Sequence, residues 1–105
     1  MRAPQAPASR TRQVEERPEY RELSDEILLA RIAQDRDSAA LTELIRRYEG
    51  LAFGLADKLC SAPDLAQEAC QEAFIRIWEA AGSYRPQGNP RGWILSIVVR
   101  EALKQ

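Results

Sequence analysis

Residues 64–79 carry four carboxylates, Asp64, Glu68, Glu72 and Glu79, with the amide Gln71 among them. At helical spacing these fall on one side, while Ala66, Ala69, Cys70, Ala73, Phe74, Ile77 and Trp78 fall on the other. Acidic side chains spaced along one face can make charge-assisted hydrogen bonds to arginines on a partner. A merely solvated face would look the same, since exposed charge needs no partner. A second constellation follows in residues 82–90, where Tyr84 lies beside Arg85, with Arg91 just beyond. An aromatic ring for stacking and cations for the backbone are what single-stranded nucleic acid requires. The alternative there is a solvent loop with Tyr84 folded back onto the core.

Other chemistry is poorly supplied. There is no histidine, so neither serine nor cysteine catalysis has an imidazole base, and Cys60 and Cys70 alone make a poor zinc site. Both cysteines sit inside helical patterns, which suits small buried residues in a reducing compartment better than a disulfide or redox pair. A small helical enzyme would have only carboxylates for acid or base work and no pocket motif. No cofactor and no metal are expected. The longest aliphatic run, residues 27–30, is far too short to span a bilayer, and no apolar stretch follows the arginines of the start, so a cytoplasmic protein without membrane insertion is expected.

The elements that must position these groups are helical. A chain of 105 residues with 45% hydrophobic content supports one domain with a modest core. Residues 1–22 hold three of the six prolines and few large apolar side chains, and are expected to be a flexible, disordered tail whose Arg2, Arg10 and Arg12 could touch phosphates. Residues 23–105 form the domain. Ser24 caps a first helix with Asp25 and Glu26 in its first turn and Leu28, Leu29, Ile32 and Ala33 inward, ending near Asp35. Asp37 or Ser38 caps a second, central helix, in which Leu41, Leu44, Ile45, Tyr48, Leu51, Ala52, Leu55, Ala56 and Leu59 return every three or four residues. Gly50 and Gly54 within it cost about 1 kcal/mol each relative to alanine, which points to close helix contacts or a mild bend. Ser61 to Asp64 closes this helix and opens the acidic third one, with proline at the turn. No strand pattern is evident. The last helix is apolar on most of its circumference, with Ser96, Arg100 and Lys104 as a narrow polar stripe. An acidic helix after the short turn is a poor candidate for a DNA groove, so a helix-turn-helix is disfavoured.

The net charge of −1 conceals an asymmetry. Residues 62–82 are dominated by acids, with Arg76 against them; from residue 83 onward Arg85, Arg91, Arg100 and Lys104 outweigh Glu101. One small domain could thus offer different faces to two partners.

The order LSDEILLARIAQDRDSAALTELIRRYEGLAFGLADKLC, then DLAQEACQEAFIRIWEAAGSYRPQGNPRGWILSIVVREAL, resembles region 2 of bacterial sigma factors of the extracytoplasmic function (ECF) group. The likeness covers residues 24 to 104, and its most specific elements are Gln71 and Glu72 followed by AFIRIW, and YRP ahead of RGWI. It implies a compact all-α, four-helix domain that docks on the clamp helices of the β′ subunit of the RNA polymerase core. The acidic helix of the family makes that contact, which points to Glu68, Gln71 and Glu72, with Asp64 and Arg76 at the margins. The family's loop and last helix capture the non-template strand of the minus-10 promoter element as it opens. That maps onto Tyr84, Arg85, Asn89, Arg91, Trp93, Ser96 and Arg100, with Trp93 also fit to anchor the helix from below. Strand opening would use binding energy, and the protein would not be an enzyme.

Two departures bear on this. Val99 and Arg100 stand where the family often has arginine then asparagine, and Ser96 where a basic residue is common, so either this helix does not carry the DNA contact or its promoter preference is unusual. The family's second DNA-binding domain does not follow Gln105, which suggests an excised domain or an incomplete initiation factor. The competing reading is a protein-interaction module bound by an anti-sigma factor, without promoter activity of its own.

Overall fold

Residues 17–86 and 88–105 are described by a computed structural model in which four α-helices and two short 3-10 turns account for all regular structure among the described residues. Helix α1 spans Asp25–Asp35, and its Ser24 cap accepts a hydrogen bond from the Ile27 amide at 3.1 Å. Helix α2 spans Ser38–Leu59; the Asp37 carboxylate accepts from the amides of Ala39 and Ala40 at 3.0 and 3.3 Å. Helix α3 spans Pro63–Ala80, with proline in the first turn, where its missing N–H costs nothing. A 3-10 turn, Ala81–Ser83, leads into the loop, and Asn89 caps helix α4, Pro90–Leu103, by accepting from the Gly92 amide at 3.1 Å. The all-helical, four-helix architecture expected from periodicity and resemblance is what the chain adopts.

The core is built from the apolar stripes of all four helices. Leu28, Leu29 and Ile32 of α1, Leu44 of α2, Ile77 of α3 and Ile94 and Val98 of α4 are its largest fully buried side chains. Helix α3 packs against both α2 and α4, which also meet each other. It presents Ala66, Ala69 and Ala73 at its most enclosed positions, all without solvent exposure. Small residues there let neighbouring helix axes approach closely, and the larger Phe74 and Ile77 are also buried.

Two expectations need correction. The domain boundary placed at residue 22 falls inside structured chain: Pro18–Glu22 forms a 3-10 turn, and Tyr20 and Leu23 pack against the core. Arg47 of α2 holds this segment. Its guanidinium donates to the carbonyls of Tyr20 and Leu23 at 3.0 and 2.6 Å and to the carboxylates of Asp25 and Glu43 at 2.7 and 2.8 Å. The remainder of the expected tail, residues 1–16, with Arg2, Arg10 and Arg12, lies outside the described residues. The second correction concerns Gly50 and Gly54, which mark no close helix contact: a Cβ added at either would meet nothing within 4 Å. They lie on an outward side of α2 that no helix covers.

Candidate functional site

On α3, Asp64, Glu68 and Gln71 are exposed and Glu72 is partly so, opposite the buried Ala66, Ala69, Ala73 and Ile77. The expected acidic face therefore exists as a surface. Asp64 and Glu68 have no cation within 4.0 Å among the described residues, so their charge is not neutralised internally. Arg76 is placed differently from its neighbours. It lies 2.8 Å from Glu79, 3.8 Å from Glu72 and 3.7 Å from the buried Glu101 of α4, which Lys104 also meets at 3.1 Å. Its guanidinium joins α3 to α4, and those acids, Glu79 first, push its already high pKa up further.

Beside the acidic face runs a groove between α2 and α3 that the sequence reading missed. It encloses about 1220 Å³ and is lined mainly by apolar side chains, among them Leu41, Ile45, Phe53, Phe74, Ile75 and Trp78, with Gln67 and Gln71 also on its walls. Phe53 and Ile75 are 37% and 46% exposed. The signal for it was present: Phe53 and Ile75 do not fall on the buried stripes of their helices, and large apolar residues on a polar side mark a surface with something to bind. Gln71 belongs to both the acidic face and the groove.

The loop side is arranged less openly than its residue types suggest. Tyr84 is half-buried: its hydroxyl donates to Glu26 of α1 at 2.9 Å, and its ring meets Trp93 edge-on with centroids 5.6 Å apart and planes at 64°. Burial, with the Glu26 carboxylate beside it, pushes that hydroxyl up to about 12. Of the two readings of Tyr84, the folded-back one describes its position here. Trp93 is half-buried against the core and Asn89 is engaged as the cap of α4, while the Ser96 hydroxyl donates to the Trp93 carbonyl at 2.8 Å. Arg85, Arg91 and Arg100 are exposed, with no carboxylate within 4.0 Å among the described residues. They are the loop side's free cations.

No group of three or more acids and cysteines close enough to hold a metal occurs among the described residues, and no helix among them is long and apolar enough to cross a membrane. Cys60 and Cys70 are both free thiols, and burial pushes Cys70 up from its usual value, which makes it a poor nucleophile.

The described residues thus form an all-helical domain with one acidic face, one apolar groove and a loop side bearing arginines without carboxylate partners. Comparison with known proteins makes this specific: residues 44–105 match sigma-70 region 2, and the chain belongs to that family, on the ECF branch. It is 30% identical over 79 residues to the ECF RNA polymerase sigma factor SigK of Mycobacterium sp. strain KMS, covering 74% of this chain and 40% of that protein. It is also 30% identical over 81 residues to the ECF RNA polymerase sigma-E factor of Haemophilus influenzae, covering 77% and 42% respectively. The chain thus spans about two fifths of the length of the curated relatives it matches. No solved structure matches it. The family is one of transcription factors and is not known for enzymatic activity.

Proposed function

We propose that this chain is the part of an ECF sigma factor that docks on the RNA polymerase core through α3 and receives the non-template strand of the minus-10 element at the loop before α4. Asp64, Glu68, Gln71 and Glu72 make the polymerase contact, on the β′ clamp helices. Arg76 takes part through its neighbours, holding Glu72 and tying α3 to α4. Arg85, Arg91 and Arg100 meet DNA phosphates, while Tyr84, Asn89, Trp93 and Ser96 shape the loop and the start of α4 that carry them. The domain performs no reaction, takes no cofactor and works where transcription does, in the cytoplasm. Its extent is residues 17–105, since the 3-10 turn at Pro18–Glu22 packs with the rest.

The observation that carries this reading is the exposed acidic face of α3, with Asp64 and Glu68 unpaired among the described residues, on a helix whose opposite side is committed to the core. Reversing Glu68 and Glu72 to lysine places cations where partner arginines are expected, and like charges across an interface cost several kcal/mol. The double variant is expected to lose co-purification with core polymerase while its circular dichroism stays helical; unchanged co-purification would refute the docking face.

A second reading is supported by the groove, since half-exposed Phe53 and Ile75 suit an apolar protein segment better than a nucleic acid. On that reading the domain is held by an anti-sigma factor and has no promoter activity of its own. Transcription from a promoter bearing only the minus-10 element separates the two: product supports the first, and its absence with polymerase bound supports the second.

A further inference from the structure

The loop before α4 follows a 3-10 turn that packs on α1, and the Tyr84 side chain ties the loop itself to the start of that helix. Tyr84 Oη donates to Glu26 Oε2 at 2.9 Å, across 58 residues of chain. Glu26 stands in the first turn of α1, which the Ser24 cap fixes. The Tyr84 ring is also enclosed by its own loop and by α4. Gly88, whose amide donates to the Arg85 carbonyl at 2.9 Å, comes so near that an added Cβ would lie 3.6 Å from Tyr84 Cε1 and 3.2 Å from that carbonyl oxygen. Trp93 supplies the edge contact on α4. The loop thus wraps the ring, and α1 holds the ring's tip.

A carboxylate beside a loop that receives DNA has the wrong sign for that task, since it repels the phosphates that Arg85 and Arg91 attract. Its charge contributes nothing favourable to DNA there. What Glu26 offers is an acceptor at a fixed point on a capped helix.

We propose that Glu26 is a positioning residue for DNA capture: by accepting from Tyr84 Oη it holds the loop in the shape that sets the places of Arg85 and Arg91. This deepens the reading of the loop given above and rests on it. Tyr84, on this account, acts as a strut whose hydroxyl matters as much as its ring.

The wrong sign of the carboxylate makes the test sharp. Binding of the full chain to a fluorescent single-stranded oligonucleotide carrying a minus-10 element is followed by anisotropy, and hydrogen exchange of the loop amides is followed in the same samples. Glu26→Ala and Tyr84→Phe are each expected to weaken binding about fivefold, the size of one lost hydrogen bond, and to speed loop exchange. The double variant should be no worse than either single one, because both remove the same contact. Glu26→Gln keeps an acceptor and loses the charge, so it should bind at least as tightly as the parent. Tyr84→Phe with parental exchange and affinity overturns the proposal, as does Glu26→Ala binding as tightly as Glu26→Gln, which would mean that only charge counts. If the parent itself fails to bind the oligonucleotide, the DNA reading of the loop falls; parental loop exchange in Glu26→Ala would separately remove the strut.

Discussion

Arg36 and Glu43 show how single residues in this chain are decided by distant partners. Arg36 ends α1 with φ 50° and ψ 48°, a left-handed conformation that costs a side-chain-bearing residue roughly 1 kcal/mol. Its guanidinium offsets that cost by lying 4.1 Å from the centroid of Trp78 and donating to the Trp78 carbonyl at 2.9 Å. Arg36→Ala keeps the strain and loses both contacts, so thermal denaturation should report a loss of about 2 kcal/mol; Arg36→Gly relieves the strain and should lose less. Glu43 is buried on α2 between Arg46, at 2.8 Å, and Arg47, also at 2.8 Å. The hydrogen bond from Arg46, helped by Arg47 and opposed by burial, lowers its pKa to about 2. A folded-state value below the unfolded one means that its stabilisation, roughly 3 kcal/mol, is present above the unfolded value of 4.5 and is lost as pH falls toward 2. Melting temperature should therefore drop across that window in the parent and drop less in Glu43→Gln. Neither residue was singled out in the sequence. Arginines and glutamates on a helix read as solvated, and only the fold brings Trp78 to Arg36 and the segment before α1 to Arg47.

At the scale of elements, the sequence spoke most clearly where a local rule acts alone. The Ser24 cap, an α2 cap at Asp37 or its neighbour Ser38, the proline opening α3 and most of the apolar stripes of α1, α2 and α3 are dictated within a few residues and were legible, although Leu51 and Leu59, expected on the α2 stripe, are each 42% exposed. The 3-10 turn at Pro18–Glu22 was not, because few large apolar residues mark it and its order comes from elsewhere. Arg47 satisfies its carbonyls, Tyr20 donates to Asp37 at 2.6 Å, and Tyr48 donates to Asp25 at the start of α1. Removing one partner from this half-buried network leaves Glu43 and several carbonyls without their donor, at about 1–3 kcal/mol. Arg47→Ala should thus lower stability by that order, and exchange of the Tyr20 and Leu23 amides should rise further than that of α4. The groove between α2 and α3 was half legible, since Phe53 and Ile75 are visibly off the stripe. That their helices leave a channel there is a matter of packing, which periodicity does not describe.

Across the whole molecule, charge divides as the sequence suggested, with acids on α3 and free arginines on the loop and α4, but the arginines are separated from the aromatic residues expected to work with them. Tyr84 and Trp93 face the body, and Arg85, Arg91 and Arg100 face solvent. DNA affinity should accordingly be dominated by phosphate contacts. For single strands each neutralised phosphate contributes about 0.7 to the slope of log affinity against log salt. Arg85→Ala with Arg91→Ala should therefore reduce that slope by about 1.4, while Tyr84→Phe, which only loosens the loop that places those arginines, should reduce it by less.

The docking of α3 on polymerase is the claim on which the functional account stands, and a photo-crosslinking amino acid placed at Gln71 addresses it most directly. Gln71 is exposed at the meeting of the acidic face and the groove, so the substitution disturbs no core contact. Irradiation with core RNA polymerase should yield an adduct on the β′ clamp helices, lost when Glu68 and Glu72 are reversed. An adduct that forms only from the loop side, at Arg100, with none from Gln71, would contradict it.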